Sequence, residues 1–82
     1  MKQILYFTAP WCGPCKLLKP KIQAMQSKLP ITILDVDTNA EACSKYSVRN
    51  VPTIIVTNNG NEIGRLVGNN ITEQRIVESF NQ

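Results

Sequence analysis

Cys12 and Cys15 are the residues of this chain with the clearest chemistry, and they are separated by only Gly13 and Pro14. Two thiols at this spacing close into a small disulfide ring and reopen without rearranging the surrounding fold. The chemistry is thiol–disulfide exchange, in which a thiolate attacks a disulfide sulfur through a mixed-disulfide intermediate. The pair therefore predicts a redox site.

The residues on either side place this pair between a strand and a helix. Ile4–Phe7 is an apolar, strand-like run, and Lys16–Leu29 has a helical period. Cys12 thus falls at the N-terminus of a helix, where unpaired N–H groups and the macrodipole stabilise a thiolate. We expect Cys12 to be the partly exposed nucleophile. Cys15, one turn further in, faces the core and acts as the resolving thiol.

A structural zinc site is the main alternative for a Cys-x-x-Cys pair. Tetrahedral zinc needs four Cys or His ligands, but the chain has no His and only Cys43 besides the pair. A redox role is therefore favoured, and no metal is expected. Cys43 precedes Tyr46 by one helical turn, so we interpret it as a packing residue against the sheet. A regulatory or adventitious thiol is the alternative for Cys43.

Composition restricts the class of protein. With 82 residues and a hydrophobic fraction of 43%, residues 1–82 are expected to form one globular domain. No apolar run approaches the ~20 residues that cross a bilayer, and no signal peptide is recognisable. Three cysteines are too few for a secreted disulfide scaffold, so a cytoplasmic location is expected.

The charge distribution is uneven. The net charge is +3, and residues 1–30 contain five lysines and no acid. A basic face on the helix after the cysteines would attract acidic partner proteins, although an ordinary solvated helix face is the simpler interpretation. Aromatic and basic residues do not cluster as they do in nucleic-acid-binding surfaces, so no nucleic-acid partner is expected.

Hydrophobic periodicity predicts the order β-α-β-α-β-β-α. The predicted strands are residues 2–8, 31–36, 53–58 and 61–67, and the first helix covers 12–29 and continues past Pro20. Asn59-Gly60 joins the last two strands in a hairpin. The first two strands should be parallel, with a right-handed crossover. The predicted fold is α/β, a four-stranded mixed sheet flanked by helices, with reactive groups at the carboxyl ends of the first two strands.

Two further helices are marked by their capping residues. Thr38 and Glu41 have the spacing of a capping box that opens a short helix ending near Tyr46. Thr72 is expected to cap the last helix, in which three apolar residues face inward. These residues are Ile76, Val77 and Phe80, and residues 68–70 before the cap are expected to form a loop.

The segment from Trp11 to Lys16 resembles the active-site signature of the thioredoxin family, and the resemblance covers nearly the whole chain. Pro20 lies where the family has a kinking proline, and Asn59-Gly60 matches its hairpin turn. The resemblance implies a thioredoxin-like fold in which Pro52 is cis and faces the disulfide. It assigns a supporting role to Trp11, Gly13, Pro14, Lys16 and Pro52, and a substrate-binding role to Trp11, Val51, Pro52, Thr53, Val67 and Gly68.

The family resemblance also implies a function. It predicts a protein-disulfide reductase that uses only its own Cys12–Cys15 disulfide, without a bound cofactor. A monomer is the default expectation. Its electron donor would be a flavin-containing, NADPH-dependent thioredoxin reductase. Its acceptors would be disulfide-containing proteins, with ribonucleotide reductase as one candidate.

The chain departs from the family pattern in three places. It begins directly at the strand before the active site, without the usual N-terminal strand and helix. Tyr6 stands where many thioredoxins have a buried Asp that takes the resolving thiol's proton, and Thr8 replaces a common aromatic residue. Because a phenol with an ordinary pKa near ~10 is a poor acceptor at neutral pH, Cys15 is expected to lose its proton to water or to a rim carboxylate such as Asp35 or Asp37.

Three other functions are compatible with a Cys-x-x-Cys pair in a chain of this kind. A glutaredoxin-type enzyme fits the short chain, but the Trp-Cys-Gly-Pro-Cys signature and Gly68-Asn69-Asn70 in place of a Gly-Gly-acid turn argue against it. A non-catalytic module would bind partners through the surface of Trp11, Val51 and Gly68. A disulfide-forming oxidant fits poorly with Gly13-Pro14 between the cysteines.

Overall fold

The chain contains four strands and three α-helices, and the computed structural model describes all of residues 1–82. The strands are β1 (Lys2–Thr8), β2 (Ile31–Asp35), β3 (Thr53–Asn58) and β4 (Asn61–Val67). The helices are α1 (Gly13–Met25), α2 (Ala40–Lys45) and α3 (Glu73–Phe80), with a short 3₁₀ turn at Gly68–Asn70. This is the predicted order of elements.

The four strands form one mixed sheet in the order β2-β1-β3-β4. β1 and β2 are parallel, with Thr8 opposite Asp35 at their carboxyl ends. β3 runs antiparallel to both β1 and β4. Asn59 and Gly60 turn the hairpin with φ angles of 54° and 87°, which a tight turn of this kind requires. The predicted parallel pairing of the first two strands and the antiparallel hairpin of the last two are confirmed.

The main hydrophobic core lies between one face of the sheet and helices α1 and α3. Ile4 and Tyr6 of β1 alternate toward this face, and Ile22 of α1 and Ile76 of α3 pack against it with no exposed surface. Burying an isoleucine side chain contributes about 1.5–3 kcal/mol. These contacts hold α1 in a fixed position, so that its first turn lies just beyond the end of β1.

Helix α1 is shorter than the periodicity predicted. It continues through Pro20, as expected, but ends at Met25 instead of Leu29. The N–H groups of Lys28 and Leu29 both donate to the Met25 carbonyl, at 3.0 and 2.9 Å, which closes the helix in a turn. Leu29 still packs against the core. The hydrophobic period of the sequence extends beyond the end of the helix because the turn keeps the Leu29 side chain on the core-facing side.

The predicted capping box of α2 is wrong. Asn39 is the N-cap, and no side chain caps the helix. The Thr38 hydroxyl instead donates to the Asp35 carbonyl at 3.3 Å, so it stabilises the turn after β2. No residue of α2 is buried, and Cys43 is only half-buried and lies outside both hydrophobic clusters. Cys43 thus lies outside the two buried clusters, and its packing against the sheet stays an interpretation.

The C-terminal part of the chain differs from the expectation at two points. Thr72 caps α3 as predicted, its hydroxyl accepting the Arg75 N–H at 3.1 Å. Ile76 is buried and Phe80 packs on the core, but Val77 is 40% exposed. One helical step rotates Val77 by about 100° away from that face. The predicted loop at Gly68–Asn70 is a 3₁₀ turn.

None of the helices has the length and apolar character that crossing a membrane requires.

Candidate active site

Cys12 and Cys15 are joined in a disulfide at the start of α1, with their Cα atoms 5.3 Å apart. Cys12 is the N-cap of the helix, and its Sγ accepts the backbone N–H of Cys15 at 3.2 Å. Pro14 fits the first turn because its missing N–H has no helical partner there. The local sequence thus directs a helix N–H group at the first sulfur, and such a donor also favours a thiolate after reduction.

Both sulfur-bearing residues are buried in the disulfide form. Cys12 is 4% exposed and Cys15 2% exposed, and together with Ala9 they form a small cluster partly covered by Val36 and Val51. The prediction that Cys12 is partly exposed is therefore wrong. The N-cap position turns its side chain back toward the helix, and the bond to Cys15 keeps it there. An incoming sulfur must approach from the surface beside the pair.

Trp11 provides much of that surface. Its side chain is 67% exposed, so Trp11 does not serve as a core-packing residue. The indole Nε1–H donates to Asp37 Oδ2 at 3.1 Å, so the ring is held at the rim of the site. Gly13, Pro14 and Lys16 are also exposed around the disulfide. An anchored and exposed aromatic ring of this kind is suited to contact a partner.

The loop before β3 lies beside the disulfide. The Val51–Pro52 peptide bond is cis, as the resemblance implied. The Gly68 N–H donates to the Pro52 carbonyl at 3.0 Å, and Gly68 has φ of 61°. Val51 is half-buried, and neither its N–H nor its C=O bonds to another backbone group of the chain. These groups are therefore available to pair with an extended peptide.

Two residues expected at the substrate surface have side chains that are less accessible than the exposed residues around the disulfide. Thr53 is 1% exposed, and its hydroxyl donates to the Asn50 carbonyl at 2.6 Å. It therefore supports the loop from inside, since its hydroxyl is occupied by the chain itself. Val67 is half-buried and pairs with Thr53 across the sheet, outside the depressions that surround the disulfide.

Two depressions flank Val51 and Pro52. One, of about 150 Å³, lies between Trp11 and Val51 and includes Arg49. The other, of about 210 Å³, lies between Pro14 and Gly68 and includes Leu17 and Lys21. Each depression thus has one cationic side chain.

Sequence reasoning did not identify Leu17, Lys21 or Arg49 as site residues. Leu17 is 80% exposed, and it falls outside the helical period of the buried face. The sequence contains one clue to Leu17, because it is an apolar residue close to the cysteines that does not belong to the buried face of the helix. Nothing local in the sequence distinguished Lys21 or Arg49 from other surface cations.

A third depression, a cleft of about 360 Å³, lies on the other side of Cys15. Thr8 and Asp35 line it from the sheet, and Lys16 and Lys19 line it from α1. Thr8, which stands in place of the family's common aromatic residue, thus lines this cleft. The cleft brings together Cys15 and one of the two predicted rim carboxylates.

Tyr6 lies one step deeper on the same face of β1 as Thr8. It has no exposed surface, and its hydroxyl has no hydrogen-bond partner. Burial raises the pKa of Tyr6, and the neighbouring Thr8 side chain offsets this only in part. A phenol in this environment stays protonated at neutral pH, so Tyr6 is unsuited to accept a proton.

One surface ion pair, between Glu62 and Arg65 on β4, also shifts the pKa values of its partners, and neither residue lines a depression around the disulfide. On β4, Arg65 Nε donates to Glu62 Oε2 at 2.7 Å. This bond lowers the pKa of Glu62 and raises the pKa of Arg65. Both side chains are substantially exposed, so the pair belongs to the surface of the hairpin. No cluster of three or more His, Cys, Asp or Glu side chains that could hold a metal ion is present.

Comparison of the sequence with known families and proteins gives one consistent result. The profile of the family described as Thioredoxin matches residues 1–82. Similar proteins include thioredoxins of Chlamydia trachomatis (43% identical over 68 residues, 79% of this chain and 67% of the relative) and Bacillus subtilis (44% over 66 residues, 76% and 64%). A thioredoxin of Echinococcus granulosus is 49% identical over 67 residues, covering 78% of this chain and 63% of the relative. The match thus spans about two thirds of each of these relatives.

Solved structures give the same result for the fold. The crystal structure of Fasciola hepatica thioredoxin superposes with a TM-score of 0.85 at 34% identity, covering 98% of this chain and 78% of the other. Reduced Schistosoma mansoni thioredoxin pre-protein superposes with a TM-score of 0.84 at 32% identity, covering 96% and 78%. The fold is therefore thioredoxin-like, as the sequence predicted.

Proposed function

Because the chain belongs to the thioredoxin family, we propose that it reduces disulfides in other proteins with its Cys12–Cys15 pair. The observation that carries this proposal is the N-cap geometry. The Cys12 sulfur accepts a helix N–H at 3.2 Å and is bonded to Cys15, which is positioned to displace a captured partner. Electrostatic stabilisation of the thiolate at a helix N-terminus makes the reduced Cys12 a nucleophile near neutral pH.

The reaction is a two-electron exchange. In the reduced protein the Cys12 thiolate attacks a substrate disulfide, forming a mixed disulfide and releasing one substrate thiolate. Cys15 then attacks the Cys12 sulfur, the mixed disulfide breaks, and the second substrate sulfur leaves. The substrate cystine is reduced to two thiols, and Cys12 and Cys15 are oxidised to the disulfide seen in the structure.

The surface beside the disulfide supports an extended substrate segment. The free N–H and C=O of Val51 would pair with the substrate backbone, as in the addition of a strand. Trp11 would contact the substrate side chains on one side, and Leu17 would contact them on the other. With Arg49 and Lys21 in the two flanking depressions, segments with acidic residues on either side of the attacked cysteine would be the preferred partners.

The electron donor proposed is an NADPH-dependent thioredoxin reductase, in a reducing compartment such as the cytoplasm. A glutathione-dependent cycle is the alternative enzymatic function. A module that only binds partners through the surface of Trp11, Val51 and Gly68 is the alternative outside catalysis. These three functions differ in what sustains turnover and in whether Cys12 is needed.

An insulin-reduction assay separates them. We expect precipitation of the reduced insulin B chain with NADPH and thioredoxin reductase, and little with glutathione and its reductase. Cys12→Ser should abolish turnover, whereas the matched variant Cys43→Ser, at a free thiol outside the site, should leave it unchanged. The proposal is contradicted if insulin reduction with glutathione and its reductase is as fast as with NADPH and thioredoxin reductase, or if Cys12→Ser keeps full activity.

A further inference from the structure

Cys15 must lose its proton before it can attack the mixed disulfide, and its surroundings offer few acceptors. The residue is only 2% exposed, so bulk solvent reaches it through the cleft that it lines. Tyr6, which lies behind this cleft, has a raised pKa because it is buried. The acceptor must therefore be another group on the wall of the cleft or the solvent within it.

Strand register brings one carboxylate to that wall. In the parallel pair β1/β2, Tyr6 is opposite Ile33 and Thr8 is opposite Asp35. Residues opposite each other on neighbouring strands project to the same face of a sheet, as do residues two apart on one strand. Asp35 is thus on the same face as Tyr6 and Cys15, one ladder step nearer the rim than Tyr6. It lines the cleft together with Cys15.

Hydrogen bonds hold this carboxylate and leave one of its oxygens free. Asp35 Oδ1 accepts the backbone N–H of Asp37 at 2.8 Å, and Oδ2 has no hydrogen-bond partner in the protein. Asp37 is placed differently, because its carboxylate accepts the Trp11 Nε1–H, at 3.1 Å for the nearer oxygen, and does not line the cleft. The structure therefore distinguishes between the two candidate acids.

We propose that Asp35 accepts the proton of the Cys15 thiol through the solvent of this cleft during the resolving step. This proposal rests on the proposed disulfide-reductase function. The Cys15 S–H bond breaks and its proton passes to the Asp35 carboxylate. The Cys15 thiolate forms a bond to the Cys12 sulfur, the bond from Cys12 to the substrate sulfur breaks, and the departing thiolate takes the proton back from Asp35 or from water.

The other charged and titratable groups around the cleft are few. Lys16 and Lys19 face it from α1, Tyr6 lies behind it on β1, and Asp37 follows Asp35 in the turn after β2. Both lysines are exposed, so solvent and salt screen their interaction with the carboxylate. Asp35 is the one carboxylate among the residues that line the cleft.

The two thiol steps can be timed separately in a Cys43→Ser background. The reduced protein is mixed in a stopped-flow instrument with a limiting amount of the aromatic disulfide 5,5′-dithiobis(2-nitrobenzoate). Attack by Cys12 releases the first coloured thiolate, and attack by Cys15 releases the second. In Asp35→Asn the amide oxygen can still accept the Asp37 N–H, so the turn is preserved. Glu41→Gln, at an exposed carboxylate of α2 outside the cleft, is the matched control.

Asp35→Asn should slow the second release about tenfold at neutral pH and leave the first release unchanged. A positioned proton acceptor raises the reaction rate on the order of 10²-fold. Solvent in the cleft can accept the proton in its place, so the loss of rate in Asp35→Asn should be smaller than that. The difference in second-release rate between Asp35→Asn and the parent should decrease toward pH ~9, where hydroxide in the solvent accepts the proton in place of the carboxylate. Glu41→Gln should match the parent protein.

Equal second-release rates for the parent and Asp35→Asn from pH ~6 to ~9 would overturn the role of Asp35. So would a slowing that does not change with pH, because that result indicates a structural effect. If the parent itself releases only one thiolate and fails to reduce insulin, the proposed reductase function fails instead. The two failures are thus distinguishable.

Discussion

Replacing Tyr6 by phenylalanine should stabilise the protein. The ring of Tyr6 is fully buried in the core between the sheet and the helices, and its hydroxyl has no hydrogen-bond partner. Removing the oxygen leaves the packing of the ring intact. A buried polar group without a partner costs about 1–3 kcal/mol, so Tyr6→Phe should raise the free energy of unfolding by about 1 kcal/mol, the lower end of that range.

Urea denaturation of the oxidised protein measures this change. The midpoint should rise while the slope of the transition stays constant, because the same surface is exposed on unfolding. The melting temperature should rise by about 4–8 °C per kcal/mol, the range for a domain of this size. Tyr46→Phe is the matched control, since the Tyr46 hydroxyl donates to the Gly60 carbonyl at 3.3 Å. It should give no gain and a loss of at most about 1 kcal/mol.

A loss of stability in Tyr6→Phe would contradict an unpartnered hydroxyl. A loss of about 1 kcal/mol would show that the hydroxyl bonds to a partner in solution, with the Thr8 side chain as the nearest candidate. The same variant also tests the mechanism. Because Tyr6 is not expected to accept the Cys15 proton, the pH dependence of disulfide reduction should be unchanged, and a large change would show that Tyr6 takes part.

Three further predictions concern a helix cap, a substrate depression and a surface ion pair. Thr72→Ala removes the side chain that caps α3 and should lower the free energy of unfolding by about 1 kcal/mol, as measured in urea. Lys21→Gln should slow the reduction of disulfide peptides with acidic flanking residues a few-fold at low salt, with no effect on neutral peptides. Lys28→Gln is the control, because Lys28 lies outside the depression between Pro14 and Gly68 that Lys21 lines. Equal rates of reduction for both variants would contradict the preference for acidic peptides. Arg65 lowers the pKa of Glu62, so the pair stabilises the fold above the ordinary carboxyl pKa, and this contribution is lost as the pH falls through the lowered pKa of the folded state. The stabilities of Glu62→Gln and the parent should therefore converge in acid, and a difference that persists there would indicate another cause.

Local patterns explain why the elements and the redox pair were predictable. Four signals each depend on residues close together in the chain: the apolar run of β1, the helical period after Cys15, the turn at Asn59-Gly60 and the cap at Thr72. The position of Cys12 at a helix N-terminus follows from the same patterns. The end of α1 was less predictable, because Leu29 keeps the hydrophobic period after the helical hydrogen bonds have ended.

Local sequence patterns specify the order of elements, the strand–helix junction at Cys12 and the chemical nature of the site. Tertiary structure alone decided the burial of Cys12, the inward orientation of Thr53 and the half-exposed position of Cys43. It also decided that Asp35, and not Asp37, shares a cleft with Cys15. The physical reason is that burial and proximity depend on the register of β1 against β2 and on helices packed over the sheet. These contacts join residues far apart in the chain, and no local pattern specifies them.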